Sequence, residues 1–482
     1  MRKFLIKISL IVLLIISGLN CAKAIKDTRL LRYPDINGDM IAFVYAGDIW
    51  TVNSDGGDAK RLTSHKGLEL FPKISPDGKW IAFSAQYSGS RQVYLMPAIG
   101  GKPKQLTYYN DVGMMPPRGG FDYAILDWTP DSKNILVRAN RTPFGERNGK
   151  YYKVAIDGGL EQPLQLTEGG FGVYSPDASK LCFAPISREF RTWKRYKGGR
   201  AADLWIYDLE NDKSEKITDF EGTDQLPVWY KNKIYFASDR NLRLNIYSYD
   251  TNTKNIKQIT HHSKYDVMWP SGENGMLTYE MGGYIYKLNL ESGNSKKITV
   301  NINFDNPNIL PYYKKVKEDI HSYAISPKGK RALFDARGDI FSVPAENGPT
   351  KNLTQTQGVR EICPAWSPNG KYVSYISDKT GEYEIYLLEN SDNAKPKQIT
   401  HNSSAWKYET VWSHDSKFMV FSDRTLKLKL LNIETQELLE IDKANLNEIH
   451  DYKFSYDSKW ITYTKSAGNG QSAIWVYSID KK

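Results

Sequence analysis

A unit repeated about every 40–60 residues constrains this chain more than any other feature of its sequence. Residues 71–107 show the unit most clearly: a Ser-Pro-Asp-Gly turn, an apolar strand, a strand with alternating aromatic and aliphatic residues, and a last strand ending in Leu-Thr. Such endings occur at residues 62–63, 106–107, 166–167, 217–218, 259–260, 298–299, 353–354 and 399–400. One four-stranded sheet cannot bury both of its faces, whereas sheets stacked around an axis can. The repeat therefore predicts an all-β propeller fold.

The number and spacing of the units predict two propellers. Six units fit between about residues 30 and 300, and four more follow near 323–354, 365–400, 411–441 and 453–479. Residues 301–319, with Pro307, Pro311 and a charged stretch, break the pattern. We predict a signal peptide (1–24), a six-bladed β-propeller (25–305), a linker (306–320) and a second, incomplete β-propeller of about four blades (321–482).

The first 24 residues have the pattern of a secretory signal peptide. Arg2 and Lys3 precede an apolar stretch at residues 10–16, and Ala22-Lys23-Ala24 is a small-x-small cleavage site. The segment is too short to span a membrane, so we expect no stable membrane span after cleavage. Cys21 follows a poor lipobox, so a lipoprotein is not favoured. The pattern predicts export, with the periplasm as the location.

Composition excludes several classes of protein. The 482 residues are 40% hydrophobic and 25% charged, which fits neither a multi-span membrane protein nor a disordered one. The net charge is +10, but no nucleic-acid-binding motif accompanies it, so we expect no nucleic acid partner. The basic excess is either an ordinary solvated surface or a field that attracts anionic partners such as peptide carboxylates.

A search for reactive groups finds none with a specific pattern. The sequence has no G-x-S-x-G, H-E-x-x-H or P-loop motif. His261-His262 is the one close histidine pair, and neighbouring side chains in a strand point to opposite faces. Ser-Asp pairs at 238–239, 377–378 and 422–423 recur at one place in the repeat, which predicts turn capping. We therefore predict no catalytic, cofactor-binding or metal-binding residues, and no cofactor.

Two longer stretches resemble the tricorn protease family. Residues 33–44 (YPDINGDMIAFV) lead into Gly47-Asp48-Ile49-Trp50, and residues 192–200 (TWKRYKGGR) lead into Asp203-Leu204-Trp205-Ile206. Both are similar to the amino-terminal six-bladed propeller of that family, in which a seven-bladed propeller comes second. The resemblance covers essentially the whole mature chain and implies that the second region holds four blades of seven. Such a set would leave two apolar blade faces exposed.

The resemblance implies a function for the chain. The family is one of serine peptidases that trim oligopeptides, and its propellers filter and channel peptides to a separate carboxy-terminal catalytic region. That region would lie beyond Lys482, so whether this chain is itself an enzyme stays open. The expected function is the substrate-gating propeller region of an exported tricorn-like serine protease, with oligopeptides as partners and a homo-oligomer as a further possibility. The alternatives are a non-catalytic TolB-like periplasmic binding protein and the propeller cap of a prolyl-oligopeptidase-like enzyme.

Five basic residues are candidates for substrate docking. The family holds the peptide carboxylate with neighbouring arginines, and the corresponding stretch here, residues 114–120, contains only Arg118. Lys194, Arg195, Lys197 and Arg200 surround two aromatic residues. They form either a solvated loop or a basic rim that recruits acidic or carboxylate-bearing peptides.

Overall fold

A computed structural model describes residues 27–109, 123–141, 149–166, 169–187, 189–190, 195–304, 312–391 and 393–481. The predicted signal peptide, Arg118, Lys194 and residues 305–311 of the linker region lie outside this part of the chain. Within it, the strands form ten antiparallel sheets, one short parallel pair and a 3-10 helix at Lys317–Asp319. The nearly all-β architecture expected from the repeat is confirmed.

Six sheets make up the first region, and each has four strands that follow one another in the sequence apart from the insertion of β4 in sheet 1. Sheet 1 contains β1 (Arg32–Asn37), β2 (Met40–Tyr45), β3 (Asp48–Asn53) and β5 (Lys60–Arg61), and β4 is Gly57–Asp58. Sheets 2 and 3 contain β6 (Glu69–Ile74), β7 (Trp80–Ala85), β8 (Gln92–Pro97) and β9 (Lys104–Gln105), then β10 (Ala124–Trp128), β11 (Asn134–Ala139), β12 (Lys150–Ala155) and β13 (Gln162–Pro163). Sheet 4 contains β14 (Gly172–Tyr174), β15 (Lys180–Phe183), β16 (Trp205–Asp208) and β17 (Lys213–Lys216). Sheet 5 contains β18 (Asp224–Tyr230), β19 (Lys233–Ser238), β20 (Asn245–Asp250) and β21 (Ile256–Gln258). Sheet 6 contains β22 (Val267–Ser271), β23 (Met276–Met281), β24 (Tyr284–Asn289) and β25 (Ser295–Lys297).

Four sheets make up the second region. Sheets 7 and 8 follow β26 (Val300–Asn301) and contain β27 (Ile320–Ile325), β28 (Arg331–Ala336), β29 (Asp339–Pro344) and β30 (Lys351–Asn352), then β31 (Glu361–Trp366), β32 (Tyr372–Ser377), β33 (Glu384–Glu389) and β34 (Lys397–Gln398). Sheet 9 contains β35 (Val411–Trp412), β36 (Phe418–Ser422), β37 (Lys427–Asn432) and β38 (Leu438–Lys443), and sheet 10 contains β39 (His450–Phe454), β40 (Trp460–Ser466) and β41 (Ser472–Ser478). Sheet 10 has three strands in the described part of the chain.

The core of each region lies between adjacent sheets. Alternation along a strand gives every sheet two apolar faces, and buried clusters join neighbouring sheets in sequence order. Phe83 of sheet 2, for example, packs against Val44 and Ile49 of sheet 1. A fully buried side chain of this size contributes roughly 1.5–3 kcal/mol to folding.

The Leu-Thr and Ile-Thr endings clamp the fourth strand of a sheet onto its third strand. In sheet 2, the N–H of Val93 donates to the Thr107 hydroxyl at 2.9 Å, and the N–H of Leu106 donates to the carbonyl of Val93 at 2.8 Å. We call this pair of bonds the Leu-Thr clamp. It recurs at Ile49, Leu204, Ile246, Ile340 and Ile385. The repeat is thus conspicuous in the sequence because these six sheets satisfy the same two backbone groups in the same way.

The turns also follow the prediction from the repeat. In sheet 2, the N–H of Gly78 donates to the carbonyl of Ser75 at 2.8 Å, and the Ser75 hydroxyl donates to Asp77 at 2.6 Å. The Ser-Asp pairs cap backbone groups as expected: Asp239 accepts from the N–H of Thr223, and Asp378 accepts from the N–H of Arg360, both at 2.8 Å.

The first region closes on itself. The inner strand of sheet 1, β1, packs against β22, β23 and β24 of sheet 6. The N–H of Thr28 donates to the carbonyl of Val300 at 2.7 Å, and β26 pairs in parallel with β4. Ile36 and Phe43 of sheet 1 share a buried cluster with Ile285 of sheet 6. The six sheets therefore surround one axis.

In the described residues of the second region, both end sheets carry exposed apolar side chains. On sheet 7, Tyr323 is 72% and Ile325 is 68% exposed, and on sheet 10, Ile474 is 77% and Val476 is 58% exposed. These residues belong to the two end sheets, whereas the corresponding faces between sheets 7, 8, 9 and 10 are buried. Exposed apolar side chains thus lie on sheets 7 and 10, and the number of blades in the second propeller stays a prediction.

Candidate functional site

Bulges in the inner strands turn side chains toward the axis of the first region. The register of the first two strands shifts at this point in sheets 1, 2, 5 and 6. The bulged residues Tyr33, Phe71, Leu226 and Trp269 have φ of +50°, +55°, +56° and +52°. Each precedes a proline, which has no N–H to give to a strand pair and is therefore found at bulges. Left-handed backbone at a non-glycine residue is costly, and such strain tends to occur at functional sites.

Five aromatic rings fill the axis behind these bulges, and we call them the axial aromatic cluster: Tyr33, Phe71, Phe171, Phe190 and Trp269. The ring centroids of Tyr33 and Phe71 are 4.6 Å apart, and those of Phe190 and Trp269 are 5.1 Å apart. Trp269 also contacts Tyr33 at 4.9 Å and Phe171 at 5.4 Å. Its buried Nε1 donor has no hydrogen-bond partner within the described ranges. The five aromatic rings thus lie between the two ends of the axis.

A polar cavity of about 380 Å³ lies on one side of the cluster, and we call it the outer cavity. It is bordered by the turns between first and second strands. The buried Asp35 accepts from the N–H of Ile74 at 2.7 Å and from the Ser271 hydroxyl, and Lys73 Nζ lies 3.9 Å from its Oδ1. Lys73 also donates to Ser271. Residues from the inner strands of three sheets thus form one polar network.

Two further carboxyl groups face the outer cavity. Asp127 accepts from the N–H of Tyr174 at 2.8 Å, and burial raises the pKa of Asp127 to about 6. Desolvation, followed by the negative charges of Asp127 and Asp35, also raises the pKa of the more exposed Glu273. The outer cavity is therefore lined by charges of both signs, from Asp35, Asp127 and Glu273 and from Lys73 and Lys231.

Arginine lies on the other side of the cluster. Arg138 is 2% exposed, stacks over Phe171 at 5.6 Å and donates to Ser187 at 2.8 Å. Ser187 in turn donates to Glu189 at 2.6 Å. Arg138 is near the end of a second strand, which is the end of the sheets that faces the second region. The polar network on this side of the cluster thus joins a buried arginine to a buried carboxyl group through Ser187.

The described residues of the predicted basic segment lie in different surroundings. Arg195 is buried and donates two hydrogen bonds to Glu382 of the second region, which also pairs with Arg243. Lys197 pairs with Glu221 where both side chains are largely exposed, and Arg200 is exposed. Arg118 and Lys194 lie outside the described residues. Substrate docking by these residues stays a prediction, and for Arg195 the geometry favours a contact between the two regions.

The axial aromatic cluster was missed in the sequence, although a signal for it was present. Tyr33-Pro34, Phe71-Pro72, Leu226-Pro227 and Trp269-Pro270 occur at the same point of four repeats, at the start of the inner strand. Proline at one fixed place in a strand indicates a bulge, and the pattern marks three of the five rings, those of Tyr33, Phe71 and Trp269. Phe171 and Phe190 do not precede a proline.

The described residues show few other features that could bind a metal ion or a membrane. No group of three or more His, Cys, Asp or Glu side chains that could hold a metal ion occurs among the described residues. His262 Nε2 instead lies 2.7 Å from the Tyr279 hydroxyl. A helix of the length and apolarity needed to cross a bilayer is absent from the same residues.

Comparisons with known proteins point to one family for both regions. The model of the tricorn protease N-terminal beta propeller domain matches residues 28–294, and that of the tricorn protease second beta propeller domain matches residues 320–482. The two-propeller interpretation of the repeat is thereby confirmed.

Individual relatives agree with the family models. A tricorn protease homolog of Saccharolobus solfataricus is 26% identical over 455 residues, which are 93% of this chain and 40% of that protein. A protein of Sulfurisphaera tokodaii named as a Tricorn-like protease N-terminal subunit is 28% identical over 187 residues, which are 37% of this chain and 87% of that protein. The crystal structure of the tricorn protease matches with a TM-score of 0.52 at 22% identity, over 94% of this chain and 44% of that chain, and shows the shared fold. The chain thus spans less than half the length of the Saccharolobus relative.

Proposed function

The chain belongs to the tricorn protease family, and on that premise we propose that it forms the peptide-gating propeller region of an exported tricorn-like serine protease. The observation that carries the proposal is the axial aromatic cluster of the first region, placed between a carboxylate-lined cavity and a buried arginine. Peptide-bond cleavage is assigned to a catalytic region outside residues 27–481, as the length of the relatives supports.

The arrangement suits an extended oligopeptide. Aromatic rings offer apolar contact to side chains of any sequence. The unpartnered Nε1 of Trp269, within the axial aromatic cluster, supplies a donor for a peptide carbonyl. The charged side chains of the outer cavity, among them Asp127, Glu273 and Lys73, offer polar partners to a peptide at one end of the axis.

The family supports this proposal over the alternatives. Both regions match tricorn propeller domains, so the TolB-like binding protein is less well supported. A family member named as an N-terminal subunit also supports assembly of this chain with a subunit that carries the remaining domains.

Export is part of the proposal and rests on the leader at residues 1–24. Cell fractionation of the full chain should recover it in the periplasm, with a mature amino terminus at Ile25 by mass spectrometry. Recovery of the intact leader in the cytoplasm would contradict this part.

Binding of a labelled oligopeptide tests the gating function. Fluorescence anisotropy with an unstructured decapeptide should show saturable binding to the full chain. Trp269→Phe keeps an aromatic ring on the axis but removes the Nε1 donor, so it should weaken binding about three- to tenfold. Trp475→Phe is the matched control, because Trp475 lies on sheet 10 and far from the axis. Equal binding by both variants would overturn the assignment of the axis as the peptide path.

A further inference from the structure

A second cavity, of about 310 Å³, lies between sheets 7 and 8 of the second region, and we call it the junction cavity. Its walls come from the start of β27, the turn between β28 and β29, and the start of β31. That turn is at the same end of the sheets as Glu382, which contacts two arginines of the first region. The junction cavity is therefore at the end of the second region where the two regions meet. Its basic side chains are those of His321, Arg337 and Arg360.

The turn between β28 and β29 has a counterpart in the first region. Arg337-Gly338 has φ of +55° and +90°, and Ala46-Gly47, which links β2 and β3, has φ of +54° and +91°. In each turn the glycine carbonyl accepts from an N–H at the start of the next sheet, from Glu361 at 2.8 Å and from Glu69 at 3.0 Å. Backbone of this kind favours Gly, Asn or Asp, so the turn itself does not require an arginine.

The equivalence of the two turns identifies two charges that the fold does not need. Arg337 stands where the first region has Ala46, and Arg360, which precedes Glu361, stands where it has Leu68. A third turn of this kind, in sheet 6, also has uncharged residues at both places, Gly282 and Leu30. The two arginines are thus additions to the shared framework, which suggests a role in binding.

Within the described residues, neither Arg337 nor Arg360 forms an ion pair with a carboxylate. The Arg360 guanidinium lies 3.4 Å from the Tyr383 hydroxyl and 5.7 Å from the centre of the Trp406 ring. Asp378 accepts from the backbone N–H of Arg360 at 2.8 Å, not from its guanidinium. Stacking on an aromatic ring orients a guanidinium and leaves its N–H donors available to a ligand.

The carboxylate that lines the junction cavity, that of Asp335, is already engaged. Asp335 is 3% exposed and accepts from the Ser322 hydroxyl at 2.6 Å and from the N–H groups of Ser322 and Cys363 at 2.9 and 3.1 Å. Val359 and Ile362 add half-buried apolar surface to the wall. The junction cavity therefore presents positive charge beside an apolar surface.

We propose that the junction cavity binds the terminal carboxylate of a peptide whose last residue has an apolar side chain. The inference rests on the proposed function and deepens it, because it names the end of the peptide that the second region recognises. The guanidinium groups of Arg337 and Arg360 donate N–H bonds to the carboxylate oxygens, for which their planar geometry is well suited. The apolar side chain packs on Val359 and Ile362.

Binding of a short peptide tests the inference. The probe is acetyl-Ala-Ala-Leu with a free carboxylate, titrated into the full chain by isothermal titration calorimetry. Its carboxy-terminal amide has the same side chains but no charge, and it should bind about fivefold more weakly or less. Binding of the free acid should also weaken at high salt. Hydrogen–deuterium exchange should show that the free acid protects residues 336–338 and 359–362.

Two substitutions taken from the first region locate the site. Arg337→Ala and Arg360→Leu introduce the residue types of Ala46 and Leu68 at the equivalent turn, so the chain should stay folded. Each should weaken binding of the free acid about fivefold or more, and the double variant should bind acid and amide equally. Lys328→Ala is the matched control, because it removes one positive charge at the other end of sheet 7 and should leave binding unchanged.

Several results would overturn the inference. They are no binding at millimolar free acid, equal binding of acid and amide, and unchanged binding by Arg337→Ala and Arg360→Leu. Equal binding of acetyl-Ala-Glu-Ala amide would assign the cavity to acidic side chains, and tighter binding of inorganic phosphate would assign it to phosphate. Because the axial peptide path is tested at Trp269, the junction cavity can fail while the proposed function stands, and the reverse.

Discussion

The first and second regions use the same repeat, but their described end sheets are packed differently. Both have Leu-Thr clamps, and sheets 5 and 8, one from each region, have inner-strand bulges that precede a proline, at Leu226-Pro227 and Cys363-Pro364. In the first region the end sheets meet and bury Ile285, whereas in the second region the end sheets leave Tyr323 and Ile474 exposed.

This contrast shows that forming one sheet and closing a ring of sheets depend on different parts of the sequence. The repeat specifies a sheet, since every clamp and turn is satisfied within one sheet or by its neighbour. Ring closure needs more, namely a last sheet that reaches the first and a segment that holds them. In the first region that segment is Thr28, which bonds Val300, together with the β4–β26 pair.

A matched pair of core substitutions should show the largest difference between the regions. Ile285 and Ile474 occupy the same place in the last sheet of each region, but they are 0% and 77% exposed. Ile285→Ala should lower the free energy of unfolding by about 4 kcal/mol, and Ile474→Ala should change it by less than about 0.5 kcal/mol. Urea denaturation followed by fluorescence measures both. Similar losses would show that the face of sheet 10 is covered in solution.

The contact between the regions should give the next largest effect. Glu382 lies between Arg195 and Arg243, so Glu382→Ala leaves two like charges facing each other in a buried site. We expect a loss of about 3 kcal/mol, because an uncompensated buried charge is costly. Calorimetry should then resolve separate transitions for the two regions. A single unchanged transition would mean that this cluster does not couple them.

The sequence was sufficient for the features that repeat. The Ser75 turn, the Ser-Asp caps and the Leu-Thr endings each depend on residues close in sequence, so their patterns predicted the sheets and the two regions. The partners of Arg195 could not be predicted in this way, because Glu382 lies 187 residues away on another region. The axial aromatic cluster could be predicted only in part. Each Xaa-Pro pair is visible in the local sequence, but the five aromatic side chains meet only because the six sheets close around one axis.

The closed axis of the first region should also produce a pH dependence. The pKa of Asp127 is raised to about 6, mainly by burial, so the folded state binds a proton that the unfolded state has released above about pH 4. The contribution of Asp127 to stability should therefore be greatest below pH 4 and fall as the pH rises through 6, by about 1–3 kcal/mol. Asp127→Asn keeps an acceptor for the Tyr174 N–H and should flatten this part of the profile in urea titrations. An unchanged slope would contradict the assignment.

The smallest effect is expected at Lys197, and it separates surface charge from the contact between the regions. Lys197 and Glu221 form a pair with 40% and 66% exposed side chains, and such pairs contribute about 0–1 kcal/mol. Lys197→Gln should thus change stability by less than about 0.5 kcal/mol, in contrast to Arg195→Gln two positions away. If Lys197 and Arg200 recruit anionic peptides, the double Gln variant should bind an acidic decapeptide about two- to threefold more weakly at low salt, and the difference should vanish at high salt. Equal binding at every salt concentration would leave Arg195, Arg243 and Glu382 as a purely structural link and remove the basic rim from the peptide path.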